Sequence, residues 1–273
     1  MKALQASNRE RKENSLKQSL INLVPDISNQ YSNFTISPND EYLTEKVRTL
    51  HAFQISTLLS AVDLFSKEFP SNSPVNVVDI GDSAGTHLKY LAGIRDSLLL
   101  KTPINSLSVN IDQEAVNRIR AKGLQAICCR AEELEQQPAG VTADIFMMFE
   151  TLEHLINPIG FLETLSRKSN CSFFVVTIPY VYQSRIGLHQ LRQGSSMVSN
   201  PENTHIFELA PADWKLLFKF SGWDVVFEDI YTQYPRFGLF RLTQPIWGRF
   251  DFPGFYGVVL RRNPLNLQWY SGW

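Results

Sequence analysis

The sequence has no apolar run approaching the roughly 20 residues of a membrane helix, so no transmembrane segment is expected. It has almost no net charge, −1 at pH 7 from 26 Lys and Arg against 27 Asp and Glu. No global basic field draws it to nucleic acid. It has only three cysteines, Cys128, Cys129 and Cys171, with no C-x-x-C pair and no other zinc spacing. No metal is therefore expected, and the three thiols read as small buried hydrophobes on strands, in a reducing cytosol. The first 20 residues are polar and lack the apolar core of a secretory signal, which agrees with a cytoplasmic location. There is no G-x-G-x-x-G, the turn that a nicotinamide dinucleotide wants, and there is no internal repeat or low-complexity tract.

What remains is globular. The 273 residues are 44% hydrophobic and 19% charged, enough to bury one sizeable α/β core with appendages. Residues 1–20 carry interleaved Lys, Arg and Glu and read as a solvated helix. A loop rich in Pro, Asn and Ser follows over 25–43, then a longer helix over 44–66. Val47, Leu50, Leu58, Ala61, Val62 and Phe65 share one face of it, together with the polar His51 and Gln54. Two polar groups on a buried stripe need partners, so they are satisfied core groups or this part of the helix covers a ligand cleft.

Residues 75–80 form an apolar, β-branched run ending near Asp79, which predicts a buried strand. A glycine-bearing break, Gly81-Asp-Ser-Ala-Gly85, leads into Leu88, Leu91 and Ile94 at helical spacing. Further strands are predicted at 107–111, 126–129, 143–149, 172–178, 223–231 and 255–260. Helices are predicted at 113–122, stopped by Gly123; from Asn157 and Pro158; and from Pro211 to a stop at Gly222. Alternation of this kind implies a parallel sheet with right-handed crossovers. Residues 180–208 and 234–254 break the rhythm with aromatic and basic residues, the mark of functional inserts.

Four motifs recur in order. The turn after the first strand is Asp79-x-Gly81-x-Ser83-x-Gly85. Asp112 ends the second strand, where a carboxylate can accept both hydroxyls of a ribose or simply cap the next helix. Cys129-Arg-Ala-Glu-Glu-Leu134 follows the third strand, and Glu150-Thr-Leu-Glu-His154 with Asn157-Pro158 follows the fourth. With Thr177-Ile-Pro-Tyr180 and His205-Ile-Phe-Glu-Leu-Ala-Pro211, these residues resemble the class I S-adenosylmethionine-dependent methyltransferases of small-molecule type. The resemblance covers about residues 73–230. The chain departs from the family pattern at Ser83, where a glycine is usual, and at Arg130, where the family carries an acid.

The resemblance implies a three-layer α/β sandwich with a seven-stranded, mostly parallel sheet whose last strand is antiparallel. Residues 1–70 would be a helical extension or lid, and 71–273 the methyltransferase domain with both inserts on the acceptor side. It implies S-adenosylmethionine as cofactor: the methionine end over Asp79, Gly81, Asp82, Ser83 and Gly85, the ribose at Asp112, the adenine near Ala131 and Glu132. Phe149 and Glu150 would lie close to the sulfonium. His154, then His205, are the candidate bases for a hydroxyl acceptor, with His154 equally suited to closing its turn by a hydrogen bond. Tyr180, Tyr182 and Arg185 would line the pocket of a small organic, sugar or lipid-linked acceptor. Two other readings stay open: a non-catalytic binding or scaffold protein on the same fold, and a nicotinamide-linked oxidoreductase.

Overall fold

A computed structural model describes residues 14–30, 35–37, 39–71, 73–96, 102–136, 141–187, 205–232 and 253–270. Residues 1–13 and most of both inserts, 188–204 and 233–252, lie outside the described residues, as do residues 97–101. The chain forms two compact units, Met1–Met147 and Met148–Trp273. The described strands build one seven-stranded sheet in the order β3-β2-β1-β4-β5-β9-β8, and β6 and β7 form a separate ribbon.

In the first unit, α1 (14–23) leads through a loop to α2 (Glu41–Glu68), which starts three residues before the predicted helix. Asp40 sets that start, because its carboxylate accepts from Leu43 N at 2.8 Å and satisfies one free helix-end amide. Leu20, Val24, Ile27 and Ile36 pack with Val47, Ala52, Ile55, Tyr90 and Ile94 in one apolar cluster. The N-terminal segment therefore contributes directly to this unit's core.

β1 (Val75–Ile80), α3 (Thr86–Asp96), β2 (Ile104–Asn110), α4 (Gln113–Ala121), β3 (Ala126–Cys128) and β4 (Ile145–Phe149) follow in sequence. β1 pairs in parallel with β2 and β4, and β2 in parallel with β3. Ala115, Val116 and Ile119 are fully buried on one face of α4, and Gly123 at φ 76° stops that helix. Cys128 corrects one expectation: at the end of β3 its thiol is exposed, whereas Cys129 and Cys171 are buried and lie just outside strands.

In the second unit, α5 (Pro158–Lys168) begins with Asn157 accepting from Gly160 N at 2.9 Å and Pro158 in the first turn. β5 (Phe173–Tyr180) is buried almost throughout, the pattern of a central strand. The short ribbon is β6 (Arg185–Ile186) against β7 (Phe207–Glu208), antiparallel. After α6 (Pro211–Phe220), β8 (Trp223–Thr232) and β9 (Gly254–Arg262) complete the sheet. β9 runs antiparallel to both β5 and β8, so the last strand reverses as expected. Aromatic packing dominates here: Trp223 lies 5.6 Å from Phe174, and its indole N–H donates to Leu162 O at 3.0 Å. Among the described residues, no helix is long and apolar enough to cross a membrane.

Candidate functional site

The turn between β1 and α3 is shaped by two glycines at positive φ, Gly81 at 98° and Gly85 at 74°. A Cβ at Gly85 would stand 2.8 Å from Leu124 Cδ1 and 3.3 Å from Ile119 Cγ2, so that position has no room for a side chain. Asp82 Oδ1 accepts from Ala84 N at 3.1 Å and Gly85 N at 2.8 Å, closing the turn on itself. Its other oxygen, Oδ2, is buried and has no hydrogen-bond partner among the described residues. Ser83, the departure from glycine, donates to Gln30 O at 2.5 Å and so ties the turn to the N-terminal segment. Asn110 braces it from β2, donating to Asp82 O at 3.0 Å and accepting from Asp112 N at 2.7 Å.

Asp79 is buried and ion-paired with His87, Oδ2 to Nδ1 at 3.1 Å. Burial and the nearby Asp82 push its pKa up to about 6, against the opposing effect of His87. The other ring nitrogen of His87 lies 3.1 Å from Gln54 Oε1. Burial lowers the His87 pKa, but the hydrogen bond and charge of Asp79, with Asp82 behind, outweigh it and raise that pKa above its ordinary value. His51 instead faces Tyr90 Oη at 3.0 Å and has its pKa lowered well below normal by burial and by His87 and Arg48. The buried guanidinium of Arg48 donates to Val24 O and Pro25 O, each at 2.6 Å. The polar stripe of α2 is thus satisfied by protein partners, the first of the two readings of His51 and Gln54. His87, Arg48 and Asn110 carry no sequence signal, since their partners stand 8 to 42 residues away along the chain.

Asp112 caps α4, accepting from Glu114 N at 2.9 Å. Ala131 and Glu132 open a 3₁₀ turn, Ala131–Gln136, and Glu132 lies 3.7 Å from the half-exposed Arg130.

In the second unit, Phe149 is buried at the end of β4, and Glu150 adopts φ 49°, the left-handed region. A non-glycine residue there stores strain of about 1–3 kcal/mol, and such strain collects at functional sites. Glu150 N donates to Thr177 O at 2.8 Å, which holds the distorted backbone in place. Its buried Oε1 has no partner, and burial pushes its carboxyl up to about 8, with a Thr177 hydrogen bond opposing.

Next comes a 3₁₀ turn, Leu152–His154. The β6–β7 ribbon is fastened to it, because Ile206 N donates to Glu153 O at 2.9 Å. That bond brings His205 beside His154, with ring centroids 4.7 Å apart and edge to face. His205 Nδ1 lies 3.1 Å from Glu208 Oε1, and Glu208 is buried and also accepts from Arg185 Nε. Arg185 therefore forms an ion pair within the ribbon. Tyr180 and Tyr182 meet edge to face at 5.2 Å, with Tyr182 mostly exposed. Glu153 is fully buried, and among the described residues neither carboxylate oxygen has a hydrogen-bond partner. Burial, reinforced by Glu150 and Glu208, raises its pKa well above the ordinary value. The sequence places Glu153 between two expected site residues, but its isolation is a fact of tertiary packing.

No protein-family model matches the sequence, and no curated protein matches it. Solved structures do. Magnesium protoporphyrin IX methyltransferase from Synechocystis PCC 6803, a structure with bound S-adenosylhomocysteine, superposes at TM-score 0.50 with 11% identity, covering 84% of this chain and 90% of that one. The [4+2]-cyclase SpnF superposes at TM-score 0.50 with 13% identity, covering 91% and 93%. With the sheet order above, this chain has the Rossmann-like fold of the class I S-adenosylmethionine-dependent methyltransferases.

Proposed function

We propose that this chain is a cytoplasmic enzyme that transfers the methyl group of S-adenosylmethionine to a small organic, sugar or lipid-linked acceptor. The observation that carries the reading is the turn at 81–85. It combines two glycines at positive φ with a buried Asp82 oxygen that has no hydrogen-bond partner among the described residues. A buried acceptor without a partner costs about 1–3 kcal/mol, and a ligand's N–H or O–H donor removes that cost. The residues present therefore fit a ligand of this polarity.

When bound, S-adenosylmethionine supplies an activated methyl on a sulfonium. The chain's own residues would bind and orient it: Gly81, Asp82, Ser83 and Gly85 at the turn, with Asp79 fixing the turn through His87. Asp112 would accept ribose hydroxyls with the oxygen not engaged in capping, and Ala131 and Glu132 would border the adenine. In the second unit, Phe149 and Glu150 are proposed cofactor contacts, and Tyr180, Tyr182 and Arg185 acceptor contacts. A neutral imidazole at His154 or His205 would take the acceptor's proton. Glu208, beside His205 Nδ1, orients one of these rings.

Titration calorimetry of the full chain with S-adenosylhomocysteine tests the cofactor assignment. Asp112→Asn keeps a capping side chain but removes the charge. It should weaken binding about tenfold or more, since a hydrogen bond to a charged group contributes roughly 1.5–3 kcal/mol. No heat and no thermal shift at millimolar ligand would sink the assignment.

A second reading is a protein that binds the cofactor without transferring its methyl. Two observations favour keeping it: the fold is shared with a [4+2]-cyclase, and Ser83 is committed to Gln30. Release of labelled methyl into a cell extract separates the two.

A further inference from the structure

We propose that Glu153, His154 and His205 form a binding site for a divalent transition-metal ion. Each offers one ligand atom, and those atoms lie within 4.8 Å of one another. Donors held by one ion at bond lengths near 2.0–2.2 Å stand at most about 4.4 Å apart, so a small shift of these side chains lets all three converge on one ion. The sequence shows no such spacing, because His205 reaches the other two only through the β6–β7 ribbon and the bond from Ile206 N to Glu153 O.

Glu153 supplies the second and independent sign. Its side chain is 0% exposed, and both of its oxygens lack a hydrogen-bond partner among the described residues. A buried carboxylate is ordinarily paired with a cation or hydrogen-bonded. The His154 ring nitrogen stands 3.9 Å from Oε1, too far for a hydrogen bond. A divalent cation satisfies both oxygens at once.

The surroundings of His205 fit the same role. Glu208, held by Arg185, accepts at His205 Nδ1. A ring that donates from Nδ1 carries its lone pair on Nε2, and a carboxylate behind a ligating histidine is the usual means of fixing that tautomer. Glu208 is thus a positioning residue. The other acid–histidine group, Asp79, Asp82 and His87, does not compete, since both ring nitrogens of His87 already face Gln54 and Asp79.

Two imidazoles with one carboxylate favour borderline ions such as Fe²⁺, Co²⁺ or Zn²⁺ over Mg²⁺ or Ca²⁺, which prefer oxygen alone. Three protein ligands leave at least one position for water or for an oxygen of a bound molecule. With an ion in place, His154 and His205 serve as ligands and not as bases.

The test needs no S-adenosylmethionine, so it stands or falls apart from methyl transfer. The full chain is stripped with a chelator and titrated with Co²⁺, following visible absorption and heat. Cys128→Ser is included to separate the site from any binding by that exposed thiol. One Co²⁺ per chain is expected, with unchanged affinity in Cys128→Ser and stronger binding than Mg²⁺. Glu153→Gln and His205→Ala should each weaken binding by at least about tenfold, and Glu208→Gln by about tenfold through the orientation of His205. Melting of each metal-free variant verifies folding. Glu153→Gln should melt no lower than the metal-free native chain, since the amide has the same shape and no charge to bury. Absence of Co²⁺ binding, or full affinity in both Glu153→Gln and His205→Ala, overturns the proposal.

Discussion

Gly85 and Gly123 have nearly the same backbone conformation, φ 74° and 76°, but different surroundings, and this makes a controlled pair of substitutions. A Cβ at Gly123 meets nothing within 4 Å. Gly123→Ala therefore reports backbone strain alone. The left-handed conformation costs an L-residue about 1–2 kcal/mol, offset by about 0.4–1 kcal/mol from a less flexible unfolded chain. The net expectation is a loss of about 1 kcal/mol. Gly85→Ala carries the same strain plus a clash with Leu124 Cδ1 at 2.8 Å and Ile119 Cγ2 at 3.3 Å. Leu124 is only partly buried and its terminal methyl can swing aside, whereas Ile119 is fully buried and cannot. Overpacking costs about 1–3 kcal/mol, and the mobility of Leu124 sets the lower half of that range. Gly85→Ala should thus lose about 2–3 kcal/mol and melt roughly 2–6 °C below Gly123→Ala. Its affinity for S-adenosylhomocysteine should fall as well, while Gly123→Ala keeps it. Differential scanning fluorimetry and calorimetry on the two variants make the comparison. Equal melting temperatures would refute the packing argument, and retained ligand affinity in Gly85→Ala would refute the placement of the ligand at this turn.

Two further outcomes follow from buried charges. The folded pKa of Asp79, about 6, lies above its ordinary 3.8, so the folded state keeps the proton longer than the unfolded one. Stability from this group falls as pH rises between those two values, so the native chain should lose stability relative to Asp79→Asn over that window in denaturant titrations. A native chain that holds or gains stability relative to Asp79→Asn as pH rises would contradict the burial of this carboxylate. Arg185→Ala leaves Glu208, 1% exposed, without its guanidinium. The expected loss is about 1–3 kcal/mol, below the 3–5 kcal/mol of a fully buried pair because Arg185 is itself 39% exposed. Adding Glu208→Gln should restore part of it; a double variant no more stable than the single one would show that the pair is not the cause.

The sequence by itself determined the order of elements and the kind of turn that joins them. Hydrophobic runs, Gly81 and Gly85, the Asn157-Pro158 start and the Gly123 and Gly222 stops are local signals, and each acts within a few residues of where it is read. The β1–α3 turn and the α4 cap at Asp112 were legible for that reason, whereas the reversal of the last strand came only from the resemblance to the methyltransferase family. The partners of the charged groups were not. Ser83 looks like a small stand-in for glycine, yet it is bonded to Gln30. Asp79 looks like a ligand contact, yet it is paired with His87. Cys128 looks like a buried hydrophobe, but it sits at the solvent-facing end of β3. Tertiary structure decided these, along with the meeting of Glu153, His154 and His205. Contacts between groups far apart in sequence depend on strand register and on which backbone bonds fasten the ribbon to the turn. A periodic pattern tells which face of an element is buried, and it leaves open what that face meets.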